Sequence, residues 1–188
     1  MNRMVLAVLM SCGMAASPLA LQGEKVNPDA QVLQDFNKRV EAYMDLHNRL
    51  EKKAPRLKTT EDPAKIQASQ DTLAALIRTE RKGARQGEIF TPQFAPILRR
   101  LMYPEVKGAD GKETKAALKE DAPKPGTVPV KVNAVYPDSA PLPSVPPNLL
   151  ANLPKLPEDL EYRIIGHTLI LRDVHANIIV DYLPKAIQ

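Results

Sequence analysis

The chain of 188 residues has one cysteine, no tryptophan, eight glycines and, with five tyrosines and three phenylalanines, few aromatic rings. Because Cys12 is the only cysteine, the chain beyond it can form no internal disulfide, thiolate nucleophile or cysteine-ligated zinc or iron–sulfur centre. The lack of tryptophan removes the usual platform for stacking sugars. No Gly-x-Ser-x-Gly, His-Glu-x-x-His, phosphate-loop or dinucleotide pattern occurs. Carboxylate pairs such as Asp110 and Glu113 sit in polar chain, without the apolar surroundings that tune a general acid. These absences favour a non-enzymatic protein that uses no cofactor.

Proline is the residue in excess. There are 18, about twice the ordinary share, and eleven of them fall between Pro104 and Leu160. A chain so composed has little room for a barrel or a doubly wound nucleotide-binding fold. Residues 1–20 read as an export signal, with Arg3 ahead of an apolar run from Met4 to Met10 and then small residues. The run is too short to span a bilayer. Leu9-Met10-Ser11-Cys12 resembles the lipobox of bacterial lipoproteins, in which the cysteine is lipidated; cleavage after Ala15 or Ala20 is the alternative. Either places the protein in the periplasm or cell envelope.

Residues 21–103 are expected to be helical. Asn27-Pro28, Asp62-Pro63 and Thr91-Pro92 each pair a capping side chain with a proline that has no N–H to lose in the first turn. The first helix, from about Pro28 to Lys53, carries Leu33, Phe36, Val40, Tyr43, His47, Leu50 and Ala54 as a regular a/d seam. The second, Pro63 to about Gly87, supplies Ile66, Leu73, Leu76 and Ile77 and forms an antiparallel hairpin with it. The third runs from about Pro92 to Met102, stapled by Phe90 and ended by Tyr103-Pro104. Pro96 is awkward in its second turn, so this helix starts later or kinks. Residues 104–160 read as a proline-rich, semi-rigid connector, with a weak helix around Ala116-Ala117-Leu118. Residues 161–188 read as a three-stranded antiparallel meander, turning at Gly166-His167 and at Asp173–His175, with Ala176, Ile178, Val180 and Tyr182 on one face. The fold class is therefore α+β. So small a sheet needs the helices, or a partner, to cover it.

Leu153 to Arg163, Leu169-Ile-Leu-Arg-Asp173 and Ala176-Asn-Ile-Ile-Val-Asp181, with Ala84 to Pro92, resemble a family of uncharacterised exported proteins of Gram-negative bacteria. That resemblance implies export and no known activity. The strand–glycine–strand pattern is also similar to the terminal hairpin of small periplasmic nickel/cobalt-homeostasis proteins.

Three sets of residues invite chemistry. Asp173, His175 and Asn177 share a strand face if the strand continues through them, and His167 would complete a metal site; otherwise Asp and Asn do ordinary turn work. His47 occupies an a position, where a polar residue sets register or responds to pH. Arg78, Arg81, Lys82 and Arg85 form a basic stripe at helical spacing, which either meets an anionic envelope surface or is simply solvated. Export and the lack of interleaved aromatics argue against nucleic acid. Two functions follow: an envelope interaction protein that engages a protein partner or a second copy through the helical seam or the meander, and a periplasmic metal-binding or sensing protein that uses the C-terminal histidines.

Overall fold

The computed structural model describes residues 27–54 and 62–187. The export signal, Cys12 and Pro55 lie outside them. The order is α1 (Pro28–Glu51), α2 (Pro63–Glu80), α3 (Ala95–Lys107), α4 (Gly111–Glu120), α5 (Pro147–Ala151), β1 (Leu160–Ile165), β2 (Thr168–Asp173) and β3 (Ile178–Leu183). The three strands form one antiparallel sheet in the order β1-β2-β3, and the fold is α+β. No helix among the described residues is long and apolar enough to cross a membrane.

The helix starts follow their caps. The Asn27 side chain accepts from Asp29 N at 3.0 Å, and Asp62 from Ala64 N at 3.1 Å. The third start differs. Thr91 Oγ1 accepts from Phe94 N at 3.2 Å, but α3 begins only at Ala95, which brings Pro96 into the first turn, where no donor is required. Pro104 does not end α3. It lies inside the helix, which continues to Lys107 and buries Met102 and Val106 on either side of it. The second helix stops at Glu80, seven residues short of Gly87.

The seam of α1 is buried from Phe36 to Ala54, and only part of its cover comes from α2. Phe36 stacks on Phe94 at 4.3 Å, and Phe90 lies between Phe36 and the Tyr162 ring of β1. The helices thus pack on the sheet face that carries Tyr162, Ile164, Leu169, Leu171, Ile178 and Val180.

The opposite face is also covered. Ile170 and Ile179 pack under Val128 and Tyr136 of the proline-rich stretch. That stretch bonds to the free edge of β3 through Asn133 N to Ile179 O (2.8 Å), Ile179 N to Ala134 O (2.9 Å) and Tyr136 N to Asn177 O (2.8 Å). It therefore blunts an edge that would otherwise offer unpaired backbone groups. The region expected as a tether holds α4 and α5 and buries Leu118, Leu149 and Leu153 in the main core.

At the β1–β2 turn Gly166 takes φ 59°, as the first residue of a tight two-residue hairpin requires. Pairing between β2 and β3 shifts between Leu171 and Arg172. The bulge leaves both Val180 and Asp181 on the helix side and sends Tyr182 to the far face, contrary to simple alternation from Ala176.

A candidate metal centre at the helix–sheet seam

The bulge aims Asp181 inward. Its fully buried carboxylate accepts from the backbone N–H groups of Gly87, Ile89 and Phe90, each at 2.8 Å, and so fastens the loop before α3 to β3. Beside it Arg81 turns in rather than out. Its guanidinium donates to Asn133 Oδ1 (3.0 Å) and Val180 O (3.1 Å) and lies 5.1 Å from the Tyr43 ring centre. The basic stripe is thereby broken: α2 ends before Arg81, whose side chain is only 9% exposed, while Arg78, Lys82 and Arg85 remain at the surface on different local geometry.

Asp173, the last residue of β2, is fully buried. Its Oδ1 accepts from Ala176 N at 2.8 Å and closes the Val174–Asn177 turn, in which Asn177 adopts φ 50°. Its Oδ2 faces α1, accepting the Tyr43 hydroxyl at 2.7 Å and meeting His47 Nδ1 at 2.6 Å. Burial, reinforced by the Asp173 charge and hydrogen bond, holds the Tyr43 phenol well above its ordinary pKa of 10, against a smaller opposing pull from Arg81, so Tyr43 stays a donor. For His47, burial pushes the imidazole down. The hydrogen bond and charge of Asp173, joined by Asp159 and Glu51, outweigh that and raise it above 6.5.

With Nδ1 committed to Asp173, the other ring nitrogen of His47 is the one left to bind. His47 is fully buried and its Nε2 has no hydrogen-bond partner. The nearest carboxylate to it is Glu51, one turn along α1, with Oε1 at 4.0 Å. His175, in the β2–β3 turn, repeats the arrangement: Nδ1 meets Glu51 Oε1 at 2.9 Å, and Nε2 stands 3.4 Å from Asp159 Oδ1. The Asp159 carbonyl accepts Val174 N at 2.9 Å, which ties the turn entering β1 to the turn that carries His175. One ligand atom each from His47, Asp159 and His175 lies within 4.8 Å of the others. Each imidazole is thus held by a carboxylate on Nδ1, the arrangement that orients histidine ligands in metal proteins.

This set differs from the one suggested by strand alternation. His175 belongs to the group, while Asp173 holds His47 from behind and is not among its members. His167 sits at the other end of β2, with Nδ1 3.1 Å from Ile187 O, and is not brought to the group. Asn177 serves the far face, accepting from Arg172 at 2.7 Å and donating to Asp138 at 3.0 Å. His47, Asp159 and Glu51 carried no sequence signal as ligands, because nothing in local spacing joins residues from α1 to two turns of the meander.

Comparison with protein-family models, with curated proteins and with solved structures finds no match for the chain.

Proposed function

We propose that the protein binds a divalent transition-metal ion at the seam between α1 and the meander, with His47 Nε2, His175 Nε2 and Asp159 as ligands and Glu51 beside them. The observation that carries this reading is the unpartnered Nε2 of His47. It belongs to a fully buried imidazole whose other nitrogen is fixed by Asp173. Burying such an atom unbonded costs about 1–3 kcal/mol, and an ion bound to it would remove that cost. Two imidazoles with a carboxylate suit zinc and its first-row neighbours rather than calcium or magnesium, which prefer oxygen alone. Ligand atoms around a tetrahedral zinc stand roughly 3.4 Å apart, so the group needs to draw in by about 1 Å.

The reading favours the metal-binding alternative over an interaction protein working through its seam. The α1 seam and the apolar face of the meander are buried against each other, and neither is free for a partner unless the core opens.

Equilibrium dialysis of the purified protein against zinc, with magnesium as control, tests the proposal. One equivalent of zinc should bind, and His175→Ala, at an exposed position, should weaken binding at least tenfold. Asp173→Asn should weaken it about 10–100-fold by freeing the His47 ring. Equal zinc binding by the native protein and His175→Ala would overturn the assignment.

A further inference from the structure

The C-terminal tail lies between two adjoining cavities. The larger, about 280 Å³, has a floor of Val106, Leu118, Ala122 and Ile187, beside the Gly166-His167 turn. The smaller, about 150 Å³, shares Val106 and Ile187 and adds Met102 and Ala186. The tail that separates them is held in place: Ala186 N donates to His167 O at 2.8 Å, and the Arg99 guanidinium donates to Pro184 O and Lys185 O, both at 3.0 Å. The floor is apolar, and among the described residues the charged side chains around it are of one sign. Lys115 and Lys119 border the larger cavity and Arg99 and Lys107 the smaller, and among the described residues no carboxylate side chain lines either. Lys107, Lys115 and Lys119 make no ion pair among the described residues.

An apolar floor under an all-cationic rim matches a ligand with one apolar and one anionic end. From this charge complementarity we infer that the paired cavities bind a single-chain anionic amphiphile, an acyl chain ending in a carboxylate or phosphate. Lysine stems lie along apolar surface while their ammonium groups reach outward, so Lys115 and Lys119 can meet the head group while the chain takes the floor. A cavity of about 150 Å³ holds a benzene ring, which sizes the larger one for a chain of about ten carbons. This inference is independent of the metal site.

The test is calorimetric titration of the full chain with sodium decanoate below its micelle-forming concentration, beside decanol and acetate. Decanoate should bind saturably, decanol about tenfold more weakly for lack of charge, and acetate not at all. Lys115→Glu with Lys119→Glu should weaken decanoate about tenfold or more. Ala122→Phe, which fills the larger cavity, should abolish binding while circular dichroism reports an unchanged fold. Equal affinity for decanoate and decanol, or undiminished binding by Ala122→Phe, overturns the inference. So does association with phosphatidylglycerol vesicles but not with monomeric decanoate, since that would describe a surface contact and no occupied cavity.

Discussion

Asp173 and Asp181 occupy the helix-facing side of the meander, and each organises a segment far from it in sequence. Asp173→Ala removes the shared acceptor of Tyr43 and His47 and the closing bond of the β2–β3 turn. Breaking a buried charged network of this kind costs about 3–5 kcal/mol, to be read as a lower urea midpoint at unchanged slope. Asp181→Ala strands the buried backbone N–H groups of Ile89 and Phe90 and the part-buried one of Gly87 at once, and about 3 kcal/mol or more is expected. On the far face, Glu161 is paired with Arg163 and with Arg172 (2.6 Å for the latter). Burial pushes its carboxyl up, but hydrogen bonds and charge from the two arginines outweigh this and hold it below 4.5. A depressed carboxylate contributes stability that is present above its unfolded value and lost as pH falls through its folded one. Acid unfolding of the native chain should therefore lose a contribution below about pH 4.5 that Glu161→Gln never had. Denaturation curves of the two proteins on either side of that pH check the sign.

Among the elements, the α3–α4 junction leaves no room for a side chain at its glycines. A Cβ on Gly111 would stand 2.4 Å from Val106 O, a backbone atom that cannot swing aside. Gly111→Ala should cost about 1–3 kcal/mol and disturb the cavity floor that Val106 and Leu118 share. Thermal unfolding combined with decanoate binding would show both. At this scale much was legible in sequence. Asn27 and Asp62 mark helix starts because a capping side chain and a proline act within a few residues of each other. Gly166 marks a hairpin because only a glycine takes its φ freely. The end of α2 was not legible. Arg81 looks like another exposed helical base until Asn133, Val180 and Tyr43 surround it. The bulge that turns Tyr182 over was hidden for the same reason: strand alternation is a local rule, and the loop at Gly87–Phe90 that requires Asp181 is remote.

For the molecule as a whole, the sheet lies between helices on one face and the middle of the proline-rich stretch, around Val128 and Tyr136, on the other. X-Pro steps impose extended backbone, which has no helical or strand period to reveal which apolar side chains are covered. Val128 and Tyr136 therefore read as parts of a tether, although they roof Ile170 and Ile179. Tyr136 also donates its hydroxyl to Pro141 O at 2.6 Å, and Arg172 lies over its ring. Tyr136→Ala should cost about 3 kcal/mol or more and raise hydrogen exchange selectively at the β2 and β3 amides. An unaffected exchange pattern would mean that the stretch is dispensable to the sheet. The proposed metal site shares this dependence on assembly: His47, Asp159 and His175 meet only when α1 and both turns are in place.

Tyr43 and its acceptor Asp173 stand 130 positions apart along the chain. In time, this means that α1 leaves the ribosome long before the carboxylate that completes its buried face has been made. Contacts so distant carry a loop-closure cost before they give anything back, and they slow folding. Until the meander emerges, Tyr43 and His47 lack their acceptor, and the seam of α1 is covered only in part. A nascent chain halted before Leu160 should therefore remain protease-sensitive throughout, and one released after Ile187 should become resistant in a single late step.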